Sequence, residues 1–191
     1  MNSNIISVIR LKDGSSVRIA RVSNRALGDQ FQDVVRIEEA SFPSSIRDSA
    51  SQLLKLAESP LALFLLADVP PTNKIVGYLS AERLELFEDV PGIKQDPHFM
   101  LGDTVYLSSV AVLEPYRHQG IGMTMQRACL ELAKERQTFK RLTLHVVKGS
   151  LTKMGLEGQV LSSFGNYYQT GKTYDYVEVP LKLGEIWQSA G

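Results

Sequence analysis

Between Ile6 and Val22 apolar and polar positions alternate twice, as ISVIRL and then SVRIARV, around the turn pair Asp13-Gly14. Period-two alternation about such a turn predicts a β-hairpin. Helical spacing follows: Phe31, Val34, Val35 and Ile37 fall together over Asp29–Ala40, and Pro43 closes that helix. Ser44 or Ser45 stands where a second helix needs its cap, with Ala50, Leu53, Leu54 and Ala57 inside it and Pro60 beyond its end. The apolar runs LALFLLA and KIVGYLSAE flank the turn VPPTN and read as adjacent antiparallel strands. Residues 86–102 hold Pro91, Gly92, Pro97 and Gly102 and read as an irregular connection, of a length more often functional than idle. A strand over Thr104–Val112 comes next, then a helix over Gly120–Arg136 with Ile121, Met125, Cys129 and Leu132 on one stripe. A strand over Arg141–Val147, a short helix or loop, and a last strand over Thr173–Leu181 complete the order. The expected class is α/β (α+β), helices flanking a mixed central sheet.

With no repeat or low-complexity tract, 191 residues are expected to form a single domain over 1–191. Lys plus Arg and Asp plus Glu both number 21, and the zero net charge argues against a surface built for nucleic-acid phosphates. Apolar residues at 43% suffice for a core. The longest apolar runs, such as Leu61 to Ala67, are too short to cross a bilayer. Met1-Asn2-Ser3-Asn4 opens no signal sequence, so a cytoplasmic protein without membrane or nucleic-acid partners is expected. Cys129, the single cysteine, can form neither an internal disulfide nor a multi-cysteine zinc site, and no metal is expected.

Chemistry concentrates in VYLSSVAVLEPYRHQGIG, Val105 to Gly122, where a strand leads into Arg117-His118-Gln119-Gly120-Ile121-Gly122 and a helix begins at once. Two glycines let main-chain amides approach an anion, and the helix start adds roughly half a positive charge. The loop can therefore cradle a pyrophosphate, with Arg117 contributing charge and His118 its amide; a tight corner without ligand is the alternative from the residues alone. No Gly-Lys-Ser/Thr follows and no third glycine completes a dinucleotide fingerprint.

Arg/Gln-x-x-Gly-x-Gly/Ala between a strand and a helix, late in a β-rich chain, resembles the coenzyme A motif of the GNAT acetyltransferase superfamily. YLSSVAVLEPYRHQGIGMTM followed by TFKRLTLHVV is most similar to the catalytic subunit of NatE-type protein N-terminal acetyltransferases, with bacterial ribosomal-protein alanine acetyltransferases nearby. IEEASFPSS resembles their Phe-Pro turn, and Asn166-Tyr167-Tyr168 their Asn-Tyr-Tyr. The resemblance implies a mostly antiparallel sheet, splayed at the coenzyme-binding strands, and acetyl-CoA as cosubstrate. It places the coenzyme on Val110, Ala111 and Val112, on Arg117, His118, Gln119, Gly120, Ile121, Gly122 and Met123, and on Ser150, which stands where relatives have Asn. Main-chain amides of Ser109–Val112 would meet the developing oxyanion.

Acetyl transfer to an amine requires removal of the amine proton. An α-amine with a pKa near ~8 yields it more readily than a lysine near ~10.4, and histidine, near ~6.5, is a natural base. The resemblance assigns that task to Tyr106 and His145, which in NatE-type subunits hold the water that takes the proton; the residues alone also allow a hydrogen-bonded core histidine and a half-buried tyrosine. Ser108 shares the face of Tyr106 by strand parity and is expected to line the acceptor channel. Phe42, Pro43 and Ile46 on one side and Tyr167 and Tyr168 on the other resemble the peptide-gripping walls of the relatives. His98 is expected on the surface.

Two segments depart from the pattern. After the histidine strand relatives carry a helix whose tyrosine protonates the departing sulfur. Here KGSLTKMGLEGQVLSSFGNYY has no tyrosine in the shortened helix, leaving either slow transfer without a dedicated acid or Tyr167 or Tyr168 as substitutes. Residues 86–102 resemble the insertion of arylalkylamine acetyltransferases, yet the two strand histidines of those enzymes fall at Tyr106 and Ser108. Glu82, Glu85 and Glu88 beside it read as solvated charges, with attraction of a cationic acceptor as the alternative. Three readings follow: N-acetylation of a protein or peptide α-amine, acetylation of a small primary amine, or a weakly active coenzyme-A-binding subunit of a larger acetyltransferase assembly.

Overall fold

The computed structural model describes residues 4–22, 27–28 and 30–181. Its strands are β1 (Asn4–Arg10), β2 (Ser16–Arg21), β3 (Leu63–Val69), β4 (Lys74–Arg83), β5 (Thr104–Val112), β6 (Arg141–Val147), β7 (Gln159–Phe164) and β8 (Tyr174–Pro180). The helices are α1 (Gln30–Ser41), α2 (Ala50–Glu58) and α3 (Ile121–Glu135). All eight strands join one sheet in the order β1-β2-β3-β4-β5-β6-β8-β7. Every neighbouring pair is antiparallel except β5–β6. The expected mixed, mostly antiparallel sheet is the observed one.

Alternation along the strands sorts side chains to two faces. On one, α3 lays Ile121, Met125, Ala128, Cys129 and Ala133 against Leu63, Leu65, Val105, Leu107, Leu142 and Leu144. Each large apolar side chain buried there contributes roughly 1.5–3 kcal/mol. On the other, α1 and α2 bring Val34, Ile37, Leu53 and Ala57 onto Phe64, Leu66, Ile75, Tyr78 and Ala111. Further along that face a third cluster joins Leu84 and Ile93 to Tyr106 and Tyr176, with Phe87, Val90, Phe99 and Phe164 packed on it. The segment after β4 thus covers strands β5 to β8 rather than standing away from them.

Three expectations need correction. α2 is capped by Ser49, not Ser44 or Ser45: Ser49 and Gln52 form a reciprocal capping box, while Ile46 N–H closes a turn onto the Pro43 carbonyl. The segment expected as a short helix or loop holds a single turn at Thr152–Met154 and then β7, whose outer position leaves VLSSF too exposed for a clear apolar alternation. Glu82 is not solvated: it is fully buried, accepting from the Ser59 hydroxyl and, at 2.8 Å, from the Arg83 amide. Asp29, the expected first residue of α1, lies outside the described residues.

Two irregularities shape the middle of the sheet. Ser80 pairs with Ser109 but Ala81 with Leu107, so Ser108 is the extra residue of a β-bulge. The parallel β5–β6 ladder runs from Thr104–Arg141 to Leu107–Leu144 and pairs nothing beyond, although β5 continues to Val112 and β6 to Val147. The sheet forks there.

Candidate active site

His145 is the first β6 residue past the fork, and its ring faces Tyr106 across it. The Tyr106 hydroxyl lies 3.0 Å from His145 Nδ1. Aromatic rings enclose the imidazole: Tyr176 and Tyr167 stack on it at centroid distances of 4.8 and 4.9 Å, Phe164 lies at 5.6 Å, and Tyr106 meets it edge-on at 5.9 Å. Burial lowers the histidine pKa to about 4, opposed by the Pro91 carbonyl beside the ring. Nε2 is buried without a well-aligned hydrogen bond. The ring is therefore neutral at pH 7. With Nε2 carrying the proton toward the Pro91 carbonyl, Nδ1 is free to accept from Tyr106. Tyr106 is buried, which drives its pKa up and keeps the phenol protonated.

Tyr167, expected as an acceptor wall or as a substitute for the missing tyrosine, is part of this cluster, buried and stacked on His145. It is kept protonated by burial, while the Tyr106 hydroxyl beside it acts the other way. Tyr168 stands edge-on to Tyr167 at 4.6 Å and is 39% exposed. On the opposite side Phe42 packs against the α1–α2 core, Ile46 is half-buried and Pro43 exposed. Ser108 Oγ lies 2.7 Å from Ser80 Oγ and donates to the Ser80 carbonyl at 3.1 Å, so the bulge is tied to β4.

The loop before α3 has the shape an anion needs. Gly120 caps the helix at φ +81°, a left-handed conformation that glycine adopts freely. His118 also has positive φ, and its side chain is exposed. None of the amides from His118 to Met123 donates to a described residue, whereas Thr124 N–H already bonds the Gly120 carbonyl at 2.9 Å. Six consecutive free donors at a helix start are a fitting seat for a diphosphate. Arg117 is less free than expected, its Nε donating to the Val112 carbonyl at 2.8 Å. Gln119 is held by the Lys12 amide at 3.3 Å. From this loop β5 leads back past Val112, Ala111 and Val110 along the fork to Tyr106. Ser150 begins the turn after β6, its amide bonded to the Val147 carbonyl at 2.9 Å.

Sequence reasoning missed the support of His145. Asp96, in the segment after β4, accepts from the Tyr176 hydroxyl at 2.7 Å and from Arg141, which also reaches Glu178 at 2.5 Å. All three of Asp96, Arg141 and Tyr176 are buried. This network fixes the ring stacked on His145 and clamps the segment over the site. Gly92 completes the clamp: its φ is +89°, and a Cβ there would come 2.6 Å from the Phe164 ring. His98 is not simply a surface group; it is half-buried and 3.0 Å from Asp103. Among the described residues no three metal-ligating side chains converge.

No curated protein matches this sequence. Solved structures do match its fold. The ribosomal-protein-S18-alanine N-acetyltransferase from Escherichia coli superposes with a TM-score of 0.63 at 14% identity, over 88% of this chain and 96% of that one. A chain of the NatC complex bound to Gag peptide and CoA gives 0.67 at 15%, over 87% and 99%. Aminoglycoside 6'-acetyltransferase type Ii gives 0.63 at 12%, over 87% and 99%. The model of the acetyltransferase (GNAT) family matches residues 31–155, a stretch running from α1 through the fork, the amide-rich loop and α3 to the turn after β6. This chain belongs to the GNAT family of acetyltransferases.

Proposed function

We propose that the protein transfers the acetyl group of acetyl-CoA to a primary amine, foremost the α-amine of a protein or peptide N-terminus. The Tyr106–His145 contact of 3.0 Å at the mouth of the fork carries this reading. Acetyl-CoA supplies an activated acyl thioester. His118 to Met123 would hold its diphosphate through main-chain amides, and the unpaired edge of β5 at Val110–Val112 offers amides to its arm and to the carbonyl oxygen. The neutral His145 accepts from Tyr106, leaving the phenol oxygen as an acceptor toward a water and the amine behind it. A pKa of about 4 makes the imidazole a weak base, so the acceptor must bring a proton that is easily lost. An α-amine near ~8 meets that condition better than a lysine side chain near ~10.4. Tyr167 and Tyr168 supply the hydroxyls for the departing thiolate that the shortened segment after β6 lacks.

A small-amine acceptor is the second reading, favoured by the clamped segment after β4, which walls the site with Phe87, Val90 and Ile93. Thiol release from acetyl-CoA against peptides differing in the first residue and against several small amines separates the two. Turnover of Met-starting peptides is expected, with His145→Ala lowering kcat about 10²–10⁴-fold while acetyl-CoA still binds. Preference for small amines would shift the acceptor assignment to the second reading. Tight acetyl-CoA binding without any turnover would identify a coenzyme-binding subunit instead.

A further inference from the structure

Asp48, in the connection between α1 and α2, belongs to none of the residue sets considered so far. Its amide donates to Glu38 Oε1 at 2.8 Å, and Glu38, only 1% exposed, accepts from the Tyr78 hydroxyl through its other oxygen. This pins the main chain at Asp48 and turns the carboxylate toward the β5 bulge. Ser109 Oγ donates to its Oδ2 at 3.5 Å, the outer limit of a hydrogen bond. Ser109 lies on β5 two residues past the last β5–β6 pair, so the carboxylate stands at the fork, and its charge makes a minor contribution at the hydroxyls of Tyr106, Tyr167 and Tyr168. Asp89, from the segment after β4, acts on Tyr168 as well.

Among the described residues Asp48 has neither a cation nor a close hydrogen-bond donor on its carboxylate, whereas the buried carboxylates without a cation, Glu38, Glu82 and Asp175, are each held by donors at 2.8 Å or closer. Asp68 pairs with Arg18, Asp96 and Glu178 with Arg141, and Asp103 with His98 and Lys140. The adjacent Arg47 is turned away, its guanidinium donating to the carbonyls of Glu39 and Phe42. Asp48 forms no ion pair among the described residues, and burial raises its pKa with only Ser109 opposing. A half-buried carboxylate left in this condition is costly, and a cation arriving from solvent relieves the cost.

Resting on the acetyltransferase reading above, we infer that Asp48 receives the ammonium group of the acceptor and restricts the site to cationic amines. Capture and deprotonation then fall to separate groups. Asp48 holds the charged form beside the bulge, and the Tyr106–His145 pair takes the proton before transfer.

The test compares a free-amine peptide, the best acceptor of the panel, with its Nα-acetylated counterpart, by calorimetry in the presence of coenzyme A. The wild type is expected to bind the free amine about tenfold more tightly, and Asp48→Asn to erase that difference. In turnover, Asp48→Asn raises the acceptor KM about tenfold and leaves acetyl-CoA affinity unchanged; Asp48→Glu recovers part of the loss. Circular dichroism of both variants guards against misfolding, and Ser109→Ala, which keeps the charge, retains the preference. Equal binding of the two peptides by the wild type, or an unaltered acceptor KM in Asp48→Asn, overturns the inference while leaving the transferase reading intact. A wild type that turns over no acceptor overturns the transferase reading, and the inference with it unless the free-amine preference persists in binding.

Discussion

His145 is enclosed by four aromatic rings and holds off a proton down to about pH 4, while the unfolded chain takes one up near ~6.5. Between those values unfolding is favoured by proton uptake, so stability from this residue is present above pH 6.5 and lost as pH falls toward 4. The loss amounts to about 2 kcal/mol at pH 5. Urea unfolding at pH 7 and pH 5 is expected to show the wild type losing about that much more than His145→Gln; parallel losses would contradict the burial argument. Glu38 and Asp48, whose pKa values burial raises, act in the opposite direction but are common to both proteins. Tyr106 and His145 were singled out through the family resemblance rather than from the residues alone, and the parallel β5–β6 register brings the two side chains within 3.0 Å. Asp48 was not singled out, because only the Glu38 contact to its amide, ten residues away, turns it toward the site.

At the scale of elements, strands and helices with strong periodicity were readable almost to the residue. β5 and β6 run over the expected spans, and α3 departs by one residue at each end. β7 was hidden because its outward faces are exposed on both sides of an edge. The segment after β4 read as an irregular connection of functional length, and its role as a clamp was hidden because its anchors, Arg141, Phe164 and Tyr176, lie about 40 to 80 residues later in the chain. The loop before α3 read as an anion seat or as a tight corner without ligand, and its geometry permits a clean test of the two. Gly122 is the second helical residue, where proline is tolerated, and a Cβ there meets only Val110 and Val112 at 3.6 and 3.9 Å. Gly122→Pro is expected to fold, to delete one of the free donors, and to weaken acetyl-CoA binding about tenfold or more, as loss of a hydrogen bond to a charged group should. Unchanged affinity by calorimetry would remove this loop from the coenzyme site.

Across the whole molecule the sheet consists of two plates, β1–β5 and β6–β8, sharing four residue pairs from Thr104–Arg141 to Leu107–Leu144. With the thioester arm lodged in the fork as proposed, acetyl-CoA at a hundred times its Kd stabilises the fold by about 2.7 kcal/mol. Hydrogen exchange through local opening should then slow most at residues 108–112 and 145–147, beyond the slowing that global stabilisation gives elsewhere; no extra slowing there would mean that the arm lies elsewhere. On that placement the donor would be a splint as well as a reagent: each turnover would withdraw the piece that braces the two plates, and the protein without acetyl-CoA would be cut by protease at this seam more readily than the protein holding it.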